Sequence, residues 1–248
     1  MKRLFTIMLI MATLAALLSS CGPAENPDFK FKLNEDRESY TIVEYRGDEE
    51  DVEIPRTHRD KPVTAIGGFQ GNTDIVSVKI PRGVKRIENH AFKGCVNLEE
   101  VEFPKTLTHI GDYAFMECES LEELIISKGA FLGMQAFSCC SDLQTVQLGL
   151  EGDGDEEYEI DLWAFNECRN LKEVHIGQTY SILGRDIFAE CDSITDLYLP
   201  QTLEKISMEA LAGCSNLEVI HFDGTLEQWD SIDKNEFWIY KQVTVITN

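Results

Sequence analysis

Positive charge is scarce in this chain: 22 Lys and Arg stand against 44 Asp and Glu, a formal net charge of −22. A field of that sign repels polyanions, which argues against nucleic acid and anionic lipid headgroups as partners. Catalytic signatures are missing as well. The sequence holds no G-x-S-x-G, no H-E-x-x-H and no phosphate-cradling glycine loop, and its serines and histidines lack a converging third partner. Neither an enzyme nor a cofactor is expected. Long apolar runs are equally rare. One exists, from Leu4 to Leu18, broken by Thr6 and Thr13; it is too short for a comfortable bilayer span and follows Lys2 and Arg3, the order of a secretory signal.

Leu18-Ser19-Ser20-Cys21 closes that run as a lipobox would, so residues 1–20 read as a lipoprotein signal peptide and Cys21 as the lipidated first residue of the mature protein. Gly22, where an Asp would hint at retention in an inner membrane, leans toward the outer membrane or cell surface. Gly22 to Asp28 carries two prolines and no apolar period and reads as a tether, with 21–39 as a whole placed outside the folded domain. Membrane contact is expected through the lipid alone. Without Lys2 and Arg3, 20 basic residues face 44 acidic ones, a mature net charge near −24.

Repetition is what the chain has in plenty. Phe69, Phe92, Phe115, Phe137, Phe165, Phe188 and Leu211 are spaced by 23, 23, 22, 28, 23 and 23 residues. Behind Phe92 and each later one lies the same frame, Cys-Leu-Val-Ile at 95-98-101-103 and 118-121-124-126, and so on to 214-217-220-222, and the first repeat has Asn72, Ile75, Val78 and Ile80 at the same offsets. An L-x-x-V-x-I core on a period in the twenties marks a leucine-rich-repeat solenoid. The expected fold is an α/β repeat: a curved right-handed stack of about seven ~23-residue rungs, a parallel concave β-sheet and a cap at each end. One domain spans 40–248, with an N-terminal cap at 40–66, repeats at 67–222 and a C-terminal cap at 223–248.

The frame I-x-x-x-A-F-x-x-C-x-x-L-x-x-V-x-I-P resembles the BspA-like class of bacterial leucine-rich repeats, over roughly Tyr40 to the C-terminus. The resemblance implies a surface lipoprotein that adheres to host or matrix glycoproteins, or to other bacteria. It also implies that Tyr40–Tyr45 and Val52–Ile54 belong to an N-terminal cap. Phe222 to Ile232 then closes the other end, with Trp229 and Ile232 over the last rung and a final strand at Val243–Ile246.

Most columns of the repeat are core. The Leu, Val and Ile positions of each short strand point inward. The Ile87, Ile110, Leu132, Ile160, Leu183, Ile206 column and the Phe column pack the same core from the convex side. Small Ala91, Ala114, Ala136, Ala164 and Ala210 mark a tight turn, and Pro55, Pro81, Pro104 and Pro200 end strands. Cys95, Cys118, Cys140, Cys168, Cys191 and Cys214 share one column. In-register neighbours sit near ~4.8 Å, wider than a disulfide's Cβ separation of ~3.5–4.5 Å, so the column reads as a ladder of buried free thiols. Cys139 faces another way.

Two residues per rung face solvent on the concave sheet. One column is Ser77, Glu100, Glu123, Thr145, Glu173, Asp196 and Val219; the other is Lys79, Glu102, Ile125, Gln147, His175, Tyr198 and His221. From these come the candidate ligand-binding residues: Glu100, Glu102, Glu123, Ile125, Glu173, His175, Asp196, Tyr198 and His221. The first column is acidic. The second turns aromatic and imidazole-rich, so Tyr198 flanked by His could anchor a peptide or stack on a sugar ring. His175 and His221 lie two rungs apart, too far to share a zinc ion. The acidic insertion 151–159 offers a weak calcium site at Asp153, Asp155 and Glu157 through oxygen ligands. The leading functional expectation is a non-enzymatic envelope lipoprotein binding a protein through its concave face; the alternatives are glycan capture at the surface and a periplasm-facing scaffold.

Overall fold

The computed structural model describes residues 26–151, 157–234 and 242–248. Its core is a β-solenoid of about eight turns, each wound between two parallel sheets.

The main sheet holds the strands expected from the L-x-x-V-x-I frame. They are β3 (Asp51–Glu53), β6 (Ser77–Lys79), β8 (Glu100–Glu102), β10 (Glu123–Ile126), β12 (Thr145–Leu148), β14 (Glu173–Ile176), β16 (Asp196–Leu199), β18 (Val219–Phe222) and β20 (Thr244–Ile246). The back sheet holds β1 (Phe29–Leu33), β2 (Tyr40–Tyr45), β5 (Lys61–Ile66), β7 (Arg86–Ile87), β9 (His109–Ile110), β11 (Phe131–Leu132), β13 (Tyr158–Ile160), β15 (Tyr180–Leu183), β17 (Lys205–Ile206) and β19 (Asp233–Lys234), with β4 (Thr57–His58) beside β5. The Ile column, expected to pack the core, also forms this second ladder, as in Arg86↔His109 and Ile87↔Ile110. Two-residue strands show no alternation, so nothing in the sequence announces them.

The back of each rung turns without a helix. One residue before the Ala is left-handed, as at His90 (φ 60°), Tyr113 (φ 58°), Gln135 (φ 52°) and Trp163 (φ 58°), and another such residue precedes the Cys. These reversals aim backbone N–H groups along the stack. Phe92 N donates to Ala114 O at 2.7 Å, Phe115 N to Ala136 O at 2.7 Å, and Phe137 N to Ala164 O at 2.8 Å. Each turn is thus hydrogen-bonded to the next rung, which satisfies the buried backbone where a helix would otherwise be needed. The small Ala at this point is fully buried in the rungs that carry it.

Inside, aromatic rings form a continuous pile. Phe92 and Phe115 lie 4.9 Å apart at 7°, Phe115 and Phe137 5.0 Å apart at 1°, and Phe165 and Phe188 5.6 Å apart at 17°. Register fixes this geometry: identical positions on successive rungs cannot avoid meeting face to face at strand spacing.

Two boundaries differ from expectation. Phe29–Leu33, assigned to the 21–39 segment outside the domain, pairs antiparallel with β2 and puts Phe29 into the core. Its F-K-F-K-L alternation is a half-buried strand ahead of the repeat frame. The main sheet, expected as one ladder, divides into β3-β6-β8 and β10 onward, because β8 and β10 do not pair. Glu100 and Glu102 there face Glu123 and Ile125 across the rung boundary, and like charges at cross-strand distance oppose closure. At the far end, helix α1 (Leu226–Ser231) carries Trp229, which with Ile232 is 6% exposed; the Trp229 ring meets Phe222 edge-on at 5.4 Å.

Candidate binding surface

The two solvent-facing columns take their places through ladder register. Glu173 pairs with Asp196 and His175 with Tyr198, and the next step matches Asp196 with Val219 and Tyr198 with His221. Because the second column is in register, its rings must stack. His175 and Tyr198 lie 4.1 Å apart at 7°, and Tyr198 and His221 4.3 Å apart at 7°. Both faces of Tyr198 are therefore covered by imidazole. A sugar ring cannot stack on it, contrary to the expectation of stacking at this tyrosine; its ring edge and phenol hydroxyl are what remain.

Carboxylates from the first column fix the imidazoles. Glu173 Oε1 lies 2.6 Å from His175 Nε2 on the same strand, whereas Asp196 Oδ1 reaches His221 Nε2 on the next strand at 3.0 Å. The His221 hydrogen bond, with a smaller one from Thr195, holds the Asp196 carboxyl below its ordinary range. The candidate cluster Glu173, His175, Asp196, Tyr198 and His221 is thus brought together as one patch.

Beside the ring stack lies an open cleft of about 530 Å³. Tyr198, His221, Leu150 and Ile246 line it, and Leu150 is 50% and Ile246 49% exposed. Gln178 and Asn248 both donate to Asp223 on its rim, at 3.1 and 2.8 Å. These neighbours come from loops after the strands and from the last strand, outside the columns that the repeat frame singles out.

The other candidates, Glu100, Glu102, Glu123 and Ile125, do not join this patch. They flank the unpaired boundary between β8 and β10, where Glu99, Glu100, Val101, Glu102, Phe103, Glu122, Glu123, Ile125 and Ser127 line a second cleft of about 580 Å³. Val101 and Phe103 are only partly buried there, whereas Val78, Leu124 and Val146 in the Val position are at most 1% exposed. Glu99, Glu122, Val101 and Phe103 were not foreseen as site residues, since the frame runs through this rung without a slip.

Cys21, Asp153 and Asp155 lie outside the described residues. Glu157 is exposed, and Glu151 of the same insertion pairs with Lys105. Among the described residues no three His, Cys, Asp or Glu side chains converge as metal ligands, and no helix is long and apolar enough to cross a membrane. Cys95, Cys118, Cys140, Cys168 and Cys191 are free and buried, and Cys214 is buried in the same column. Their thiols serve the stack: Cys95 Sγ donates to Phe69 O at 3.1 Å, Cys118 Sγ to Phe92 O at 3.3 Å, and Cys191 Sγ to Phe165 O at 3.0 Å. Cys139 sits at a left-handed turn (φ 61°), half-buried beside Ser138.

Comparison with known proteins agrees with this geometry. The family model of the BspA type leucine rich repeat region matches residues 66–151 and 155–246, in six copies. A solved leucine-rich repeat protein of T. pallidum is 26% identical over 68% of this chain and 90% of its own, with a TM-score of 0.55. A leucine-rich repeat protein from Bacteroides ovatus is 19% identical over 86% of this chain and 67% of its own, at a TM-score of 0.42. A leucine rich cell surface protein from Faecalibacterium prausnitzii is 18% identical over 88% and 99%, at 0.35. No curated protein matches the chain.

Proposed function

The chain belongs to the BspA-type leucine-rich-repeat family, and from that premise we propose a non-enzymatic protein of the bacterial cell envelope, anchored by lipid on Cys21, that binds another protein through its main-sheet face. The observation that carries this reading is the His175–Tyr198–His221 stack. Its exposed edges are held rigid by Glu173 and Asp196 and adjoin the apolar residues Leu150 and Ile246. Rigid ring edges, a hydroxyl and an adjacent apolar cleft suit peptide groups, because aromatic area that is already immobilised costs little entropy on binding. A pyranose stacks on a free aromatic face, which Tyr198 lacks, so a polypeptide is favoured over glycan capture. Adhesion to a host or matrix glycoprotein is the extension that the family suggests, with contact to its polypeptide part.

The test uses the purified mature chain on arrays of matrix glycoproteins, their deglycosylated forms and free oligosaccharides. Binding that survives deglycosylation and weakens roughly tenfold or more in Tyr198→Ala is the expected result. Binding to oligosaccharides alone would replace the proposal with glycan capture. Protease shaving of intact cells decides the setting: a band that survives until the envelope is opened would mean a periplasm-facing scaffold and end the adhesion reading.

A further inference from the structure

We propose that the cleft beside the ring stack is a trough for an extended segment of the partner protein, which sets an Arg or Lys on Asp223 and an apolar side chain on Leu150. The proposal rests on the protein-binding reading above and names what the bound protein must present at that site.

The trough follows from the side chains that the repeat places just after each strand. Ladder register continues one residue past the strands: Gly177 N donates to Leu148 O at 2.7 Å, and Asp223 N to Leu199 O at 2.9 Å. Gly149, Gly177, Pro200, Asp223 and Asn248 therefore share one column. At Gly177 a side chain has no room, since a Cβ there would lie 2.2 Å from Gly149 O. Gly177 and Pro200 thus make a low floor. One wall is Tyr198, His221 and Ile246, which are neighbours in ladder register. Leu150 closes the far end with an exposed apolar side chain.

At the near end stands a carboxylate that is oriented but not neutralised. Gln178 Nε2 donates to Asp223 Oδ2 at 3.1 Å and Asn248 Nδ2 to Asp223 Oδ1 at 2.8 Å, which fixes the group from two sides. Both donors are uncharged amides, and among the described residues no cation pairs with Asp223. Each carboxylate oxygen keeps a second lone pair for an incoming guanidinium or ammonium group. Glu173 and Asp196, the other acids beside the stack, are already turned onto imidazoles. Ile246 offers the aliphatic stem of Lys or Arg an apolar surface next to that carboxylate. A chain of net charge −22 also draws a cationic segment and repels an acidic one.

Spacing sets the rest. Leu150 follows β12 and Asp223 follows β18, three rungs on, which is roughly 14 Å at strand spacing. An extended chain covers that length in about four residues, and residues four apart project to the same side. The occupant is thus a stretch with an apolar residue and an Arg or Lys four positions apart. Its intervening backbone passes over Gly177 and Pro200, beside the edges of Tyr198 and His221.

The probes are labelled peptides in a Gly and Ser background with Leu and Arg four apart, in both orders, titrated into the mature chain by fluorescence anisotropy. We expect saturable binding of at least one order, with a loss of roughly tenfold in Asp223→Asn and a smaller loss in Leu150→Ser. Placing Arg three residues from Leu, on the opposite side of the extended chain, should weaken binding as much as Asp223→Asn does. Asp223→Lys should transfer the preference to the peptide with Glu in place of Arg. Both positions are exposed, and an unchanged far-UV spectrum confirms the fold. Equal binding of the Arg and Glu peptides overturns the proposal, as does free arginine amide competing as well as the peptide. Absence of saturable binding by either order overturns it too. Glycoprotein binding on the arrays that is lost in Tyr198→Ala but unchanged in Asp223→Asn would discard this inference and keep the protein-binding reading, whereas arrays without any bound protein would end that reading.

Discussion

Each thiol of the column from Cys95 to Cys191 fills a small apolar space and donates to a carbonyl of the rung before it, so its value to the fold depends on staying protonated. Burial pushes the Cys95 thiol up to about 12 and holds Cys118, Cys168 and Cys191 well above the ordinary range. An unfolded thiol ionises near ~8.5. Between those limits the unfolded chain has released protons that the folded chain still holds, so stability is intact below about pH 8.5 and declines as pH rises toward about 12. Each buried thiol contributes up to ~1.4 kcal/mol per pH unit to that slope. Thermal melts at increasing alkalinity should show Tm falling steeply past this point. Cys118→Ala should start about 1–2 kcal/mol less stable at neutral pH, having lost packing, and fall less steeply. A Tm flat across the window would contradict a buried ladder. Asn72, at the head of the column, turns its Oδ1 instead onto the N–H groups of Asp74 and Ile75.

Among the elements, α1 shows how little local sequence is needed to fix an end. Thr225 Oγ1 accepts from Gln228 N at 3.2 Å while Gln228 Oε1 accepts from Thr225 N at 2.8 Å, a reciprocal capping box. That box orients Trp229 against Phe222. Thr225→Ala should cost about 1 kcal/mol and Thr225→Ser much less; denaturation of the two variants with hydrogen exchange over α1 measures the difference, and equal stability would mean that the box is idle. Elements of this kind also show what the sequence discloses. The main-sheet strands were legible because Leu, Val and Ile recur at fixed offsets. The stacking of His175, Tyr198 and His221 was implied by shared register, but which carboxylate each imidazole meets was not: one partner is on its own strand and the other on a neighbour. The back sheet left no pattern in two-residue strands. The break after β8 is invisible in the core frame and shows only as glutamates facing glutamates, a signal that matters once pairing is known.

On the scale of the whole molecule, the two sheets divide their work unevenly. The back sheet and the pile of Phe rings run past β8 without interruption, while the main sheet stops and resumes. Stability in a stack of repeats is a sum over rungs and their interfaces, so the interface missing half its ladder is the weakest. Alkylation with mass spectrometry across a denaturant series should find Cys139 modified first, since it is half-buried in the native state, and Cys95 reactive before Cys118, Cys140, Cys168 and Cys191. Simultaneous reaction of all five would show that the missing ladder does not divide the stack. One buried thiol in each of six successive rungs thereby makes the molecule its own odometer: added mass counts the floors that have come apart, and the peptide that carries it tells which ones.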